Sequence, residues 1–179
     1  MRKRLFVAID IPLAIKEKIV KIQEQLLDKE IKAVLVKPEN MHLTIIFLGD
    51  VDYNQIPEII ELLSKIKDDS FKIEFEALGG FPSLKNAHTL WLGLKENLAL
   101  YYLREKISQQ IKKLNLRLDE KEFVPHLTLA RLKRPRNCLG MQFDARGLDG
   151  FWVKEFILYQ SELSSDRPKH RPMKKFCLR

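Results

Sequence analysis

The chain has 179 residues, 45% hydrophobic and 31% charged, which excludes disorder and leaves room for one packed domain or two small fused lobes. A net charge of +8 favours polyanionic contacts (nucleic acid, phosphorylated ligands or an anionic membrane), although a solvated basic face gives the same composition. No apolar run reaches the ~18 residues of a membrane-spanning helix, and the run after Met1-Arg2-Lys3-Arg4 ends too early for a secretory signal, so a soluble, cytoplasmic protein is expected.

Leu5-Phe6-Val7-Ala8-Ile9 is a short apolar run bounded by charges and predicts a buried strand. Asp10 followed by Pro12 signals the start of a helix, one face of which carries Ile15, Ile19, Ile22 and Leu26. Residues 33–36 predict a second strand and residues 42–48 a third, ended by a turn at Gly49-Asp50. Ile56, Ile59, Leu63 and Ile66 mark a second amphipathic helix. Alternation in Phe71-Lys72-Ile73-Glu74-Phe75 predicts a half-exposed strand, followed by a loop over 78–83 and a strand over 89–94. Leu100, Leu103, Ile107, Ile111 and Leu114 repeat the helical spacing. A strand over 123–132 follows, interrupted near its start by Pro125, then one or two strands within 151–163 and a short basic tail from Ser164. Helices and strands mix without strict alternation, which predicts an α+β fold rather than a doubly wound parallel sheet.

One internal echo stands out. His42-Leu43-Thr44 and His126-Leu127-Thr128 each lie on a predicted strand, one in each half of the chain. Side chains alternate along a strand, so His42 and Thr44 share a face while Leu43 and Ile45 anchor the other; His126 and Thr128 repeat the pattern. An imidazole can move a proton near neutral pH, and a threonine hydroxyl can donate to a phosphate oxygen. In-line cleavage of a phosphodiester needs a base on the incoming oxygen and an acid on the departing one. Two facing His-Thr pairs meet that need. No carboxylate or further histidine stands at ligand spacing beside either motif, so neither a metal nor another cofactor is expected. Cys138 and Cys177 form no ligand pattern and are expected as reduced thiols.

With its flanks, the doubled motif resembles the two-histidine (2H) phosphoesterases, and within them the RNA 2′,3′-cyclic phosphodiesterases once described as 2′-5′ RNA ligases. The resemblance runs through Arg4-Leu5-Phe6-Val7-Ala8-Ile9, Val36-Lys37-Pro38-Glu39-Asn40-Met41-His42-Leu43-Thr44-Ile45-Ile46-Phe47-Leu48-Gly49 and Gly79-Gly80-Phe81-Pro82-Ser83. It continues in Leu90-Trp91-Leu92-Gly93-Leu94, Phe123-Val124-Pro125-His126-Leu127-Thr128-Leu129-Ala130-Arg131 and Leu158-Tyr159-Gln160-Ser161-Glu162-Leu163. It implies a single domain over 1–179 made of two pseudo-symmetric lobes, with two antiparallel sheets facing a central cleft and helices outside. It also implies metal-independent opening of an RNA 2′,3′-cyclic phosphate to a 2′-phosphomonoester; a monomer is expected because nothing in the sequence demands more. His42 is then the proton donor to the leaving 3′ oxygen, His126 the proton acceptor from water, and Thr44, Thr128 and Arg131 hold the phosphate. Where family members often carry Gly-Pro-x-Tyr, this chain has Asp166-Arg167-Pro168-Lys169-His170, so His170 either replaces the tyrosine or the contact is absent.

Strand alternation sets two further expectations. Arg131 stands five positions after His126, an odd offset, so sharing a face with it requires a bulge, a strong twist or a strand end near Ala130. Phe47 stands at the same offset from His42 and is expected in the core, although it or Phe81 could stack a terminal base. His88 reads as a surface or loop-end residue. Lys133, Arg134 and Arg136 follow Arg131 closely, and with the basic tail they could hold an RNA backbone. The same two-histidine site could run weak reverse 2′-5′ ligation, or act on small 2′,5′-linked or cyclic nucleotides. The alternative of a different class is an RNA- or nucleotide-binding module with vestigial catalysis, against which two intact motifs stand.

Overall fold

The computed structural model describes residues 1–27, 31–116, 118, 122–141, 148–162 and 169–179. In chain order the elements are β1 (Arg2–Asp10), α1 (Leu13–Leu27), β2 (Ala33–Leu35), β3 (His42–Asp52), α2 (Ile56–Ser64), β4 (Phe71–Ile73) and β5 (Phe75–Phe81). They continue with β6 (Ala87–Leu94), α3 (Leu98–Lys112), β7 (His126–Arg136), β8 (Phe151–Val153), β9 (Glu155–Glu162) and β10 (Lys169–Cys177). Every strand pairing is antiparallel, and the fold is α+β as predicted. No helix among the described residues is long and apolar enough to cross a membrane.

One half of the main sheet runs β10-β9-β1-β3; the other runs β7-β6-β5, with β2 pairing β7 on the edge away from β6, farther along the strand than β3. The halves join through β3 and β7, whose register is recorded at Leu43 opposite Leu127. A two-stranded sheet of β4 and β8 stands apart. The apolar run of β1 is explained by burial on both faces. Leu5, Val7 and Ile9 belong to the main core with the apolar stripes of all three helices, while Phe6 and Ala8 turn the other way and pack with Ile157 and Tyr159. Cys138 is buried, Cys177 is exposed, and both are free thiols.

Four expectations change. Gly49-Asp50 is no turn: β3 continues to Asp52, and Gly49 takes a left-handed φ of +73° where the register with β1 shifts. Most of the expected loop over 78–83 is strand β5, with Gly79 and Gly80 inside it. Pro125 does not interrupt its strand but precedes it, since β7 begins at His126. The expected tail forms edge strand β10 along β9. Leu163 and Asp166-Arg167-Pro168 lie outside the described residues.

The decisive local features are bulges in β3 and β7. In β3, Ala8 pairs with Thr44 and Val7 with Ile46, so Ile45 is an extra residue. In β7, Trp91 pairs with Thr128 and Leu90 with Ala130, so Leu129 is extra. The burial pattern agrees: Leu43, Ile45, Ile46 and Leu48 are all buried, as are Leu127, Leu129 and Ala130, and the inward parity switches at each bulge. Gln23 of α1, only 2% exposed, secures the second bulge. Its amide nitrogen donates to the Leu129 and Val36 carbonyls, each at 2.8 Å. The Val36 N–H also donates to the Leu129 carbonyl at 2.9 Å.

Gln23→Leu removes both amide bonds from a dry site. It is expected to cost about 1–3 kcal/mol, the usual penalty for stranding buried polar groups. Urea unfolding measures this as a lowered midpoint at unchanged m-value; an unchanged midpoint would show that the bulge is held by packing alone.

Candidate active site

His42 and His126 are the first residues of β3 and β7. Each places Nδ1 at 2.7 Å from the carbonyl oxygen two residues earlier, Asn40 for His42 and Val124 for His126. A carbonyl only accepts, so each Nδ1 carries the proton and each Nε2 is left free to exchange one. Extending the Leu43–Leu127 register by one residue either way sets His42 against Thr128 and Thr44 against His126. The four side chains therefore share the face opposite the two leucines. Thr44 and Thr128 are half-buried.

The bulges complete this face. With parity reversed at Leu129, Arg131 returns to the side of His126 and Thr128, exposed, and its charge acts on His126. The condition that alternation set for Arg131 is met by a bulge. The same reversal corrects the expectation for Phe47. It is 53% exposed rather than in the core, with its ring 5.8 Å from that of Phe6. Phe47 and Arg131 thus hold equivalent positions in the two halves.

Aromatic walls surround both imidazoles. The His42 ring lies 5.0 Å from Phe6, 6.2 Å from Tyr159 and 5.0 Å from His170. The His126 ring lies 4.9 Å from Phe81 and 5.6 Å from Trp91. The two walls are built differently. Opposite Thr44 stands Ala8, itself beside Ile157; opposite Thr128 stands Trp91, itself beside Gly79. Gly79 is obligatory there, because a Cβ would collide with the Trp91 ring. His170 therefore reaches the first histidine, whereas His88 is an exposed residue of β6 at a register shift. Sequence reasoning missed Phe6, Tyr159 and Trp91 as walls of the site. The alternation of β1 carried the signal for Phe6, since it separates Phe6 and Ala8 from Leu5, Val7 and Ile9.

Burial dominates the electrostatics. It pushes His42 down to about 4, helped by the His170 charge and opposed by the Asn40 carbonyl and Asp10; His126 adds a small repulsion of its own. Burial also lowers His126, with Arg131 adding to the effect and the Val124 carbonyl opposing it. His170 is lowered by burial as well. Among the described residues no three His, Cys, Asp or Glu side chains gather as metal ligands.

Comparison with known proteins places this geometry. A family profile described as LigT like phosphoesterase matches residues 9–91 and again 92–170, once for each half. A protein of Archaeoglobus fulgidus named RNA 2′,3′-cyclic phosphodiesterase is 35% identical over 177 residues, covering 97% of this chain and 99% of its own. One of the same name from Methanocaldococcus jannaschii is 35% identical over 178 residues, with 97% and 99% covered. The crystal structure of Escherichia coli LigT in its apo form superposes with a TM-score of 0.85 at 26% identity, covering 99% of this chain and 98% of the other. Its complex with 3′-AMP gives 0.84 at the same identity and coverage. Fold and doubled motif define a two-histidine phosphoesterase. Within that class, the chain belongs to the LigT-like phosphoesterase family.

The depressed histidines carry a stability signature. Above pH 6.5 the imidazoles are neutral in both folded and unfolded chains, and this contribution is fully present. As pH falls from 6.5 towards 4 the unfolded chain takes up protons that folded His42 refuses, so stability drops by up to ~1.4 kcal/mol per pH unit for each such proton. His42→Gln is expected to flatten that slope in pH-dependent denaturation, and equal slopes in variant and parent would contradict the assignment.

Proposed function

We propose that this enzyme hydrolyses the 2′,3′-cyclic phosphate at RNA ends to a 2′-phosphomonoester without a metal. The carrying observation is the matched pair of imidazoles, each held through Nδ1 by a 2.7 Å backbone bond and set on adjoining strands. The names of the Archaeoglobus and Methanocaldococcus relatives support the choice of substrate. In this reading His126 Nε2 takes a proton from water as its oxygen attacks phosphorus. The P–O3′ bond breaks, and the 3′ oxygen receives the proton carried by His42 Nε2. The Thr44 and Thr128 hydroxyls donate to the non-bridging oxygens, and Arg131 balances their charge. Phe47 offers the terminal base an exposed ring to stack on. Hydrolysis dominates in water, and 2′-5′ joining is the weak reverse of the same step. Both halves supply the site, so the chain works as one two-lobed domain.

The low pKa of His42 fits an acid that is charged by its own substrate. A cyclic phosphodiester is an anion, and an anion beside an imidazole favours the protonated form. Two tests follow. With an RNA ending in a cyclic phosphate and EDTA present, the product is expected to be a 2′-phosphate. His42→Ala or His126→Ala should then lower turnover by ~10²-fold or more while leaving the fold intact. Near-parental activity in either variant would sink the mechanism. Both kcat and kcat/KM should be bell-shaped in pH, because one imidazole must be charged and the other neutral. The kcat bell is expected at higher pH than that of kcat/KM, since bound phosphate raises both histidines. Coincident bells would rule out substrate-assisted protonation.

A further inference from the structure

Beyond Arg131, β7 continues into a cluster of cations that the proposed chemistry does not use. Here a cleft of about 470 Å³ is lined by Lys32, Lys133, Arg134 and Arg136, with Ile31 and Leu132 among its apolar lining. Among the described residues no carboxylate lines it. Among the described residues no ion pair engages Lys32, Lys133 or Arg134. The walls are fixed by backbone bonding. Ala33 and Val34 of β2 pair with Leu132 and Arg131, and the Lys133 N–H donates to the Lys32 carbonyl at 3.0 Å. Like charges held together on a rigid strand repel one another, and a polyanion relieves that repulsion. Position adds to charge. Lys133 follows Arg131 by two residues on the same strand, a step of ~6.6 Å, so a line of cations runs from the reacting face into this cleft.

We infer that this cleft holds the phosphate backbone of RNA upstream of the reacting end, making the enzyme selective for oligonucleotides over cyclic mononucleotides. The inference rests on the reading of the chain as an RNA-end phosphodiesterase. An RNA whose 3′-terminal cyclic phosphate sits between His42 and His126 must lead its preceding phosphates out of the site. The distal half of β7 is a route whose charge suits them, and it leads directly from Arg131. Contacts of this kind grip phosphates rather than base edges, so the selectivity is for length and not for sequence.

The test compares adenosine 2′,3′-cyclic phosphate with an RNA of about eight nucleotides ending in the same group. The intact chain is set against the triple variant Lys32→Glu, Lys133→Glu, Arg134→Glu, and the corresponding Gln variant serves if the charge reversal does not fold. The parent should show a higher kcat/KM on the oligomer. Each phosphate contact steepens the log–log salt dependence by ~0.7 on a single strand, so three contacts predict an extra loss of roughly twentyfold between about 50 and 200 mM salt. The variant should lose the oligomer advantage and the extra salt dependence while keeping its kcat/KM on the mononucleotide. Fluorescence anisotropy with an unreactive oligomer of the same sequence reads the cleft without turnover, and the variant should bind at least tenfold more weakly. Equal kcat/KM of the parent on both substrates, or unchanged oligomer binding in the variant, overturns the inference. So does a variant whose only defect is loss of binding to phosphatidylserine vesicles. Absence of turnover on both substrates with intact, salt-sensitive oligomer binding would instead overturn the phosphodiesterase reading and leave the cleft standing.

Discussion

The arrangement depends on the meeting of β3 and β7 at Leu43 and Leu127, which are 2% and 0% exposed. Two half-sheets from distant parts of the chain touch through this contact, and every side chain of the candidate site is placed relative to it. The leucines face the helices and drop into the common core. Their neighbours on either side must then face away from it, and those neighbours are His42, Thr44, His126 and Thr128. Core packing thus orients the polar groups at no separate cost, because one pleat decides both.

A regular pleat would still have left the site incomplete. It would have buried Phe47 and turned Arg131 away from His126. One extra residue in each strand reverses both outcomes, and in β7 the extra residue is held by Gln23 from the neighbouring helix. Bulges are local departures from pairing, with no residue code as plain as that of a helix stripe. That is why the sharing of a face by His42 and Thr44 was legible in the sequence while the placement of Phe47 was not. The three helices were readable from the spacing of Ile15, Ile19 and Ile22 and its counterparts. The glycines misled. Gly49 suggested a turn and Gly79-Gly80 a loop, yet Gly49 serves a bulge and Gly79 clears room for an indole. Strand β10 was hidden because Lys169 to Cys177 is an edge strand with mostly exposed, charged positions, and its register comes from β9 rather than from its own pattern.

The same walls that fix the imidazoles also dry them. Phe6 and Tyr159 on one side, and Phe81 and Trp91 on the other, lower the affinity of both rings for protons. An anionic ligand would restore it. In the proposed mechanism the bound phosphodiester is that anion, so protonation of His42 would follow binding rather than precede it.

The unequal furnishing of the two halves has a consequence for the polarity of the ligand. In a site of strict twofold symmetry, a cyclic phosphate would fit equally well in two orientations related by half a turn. Half of all encounters would then present the wrong oxygen to the wrong imidazole. Phe47 and Arg131 at matching positions, and Ala8 with Ile157 against Trp91 with Gly79, make those orientations unequal in energy. A duplicated scaffold supplies two histidines; its broken symmetry would give the proposed ligand one preferred way to lie.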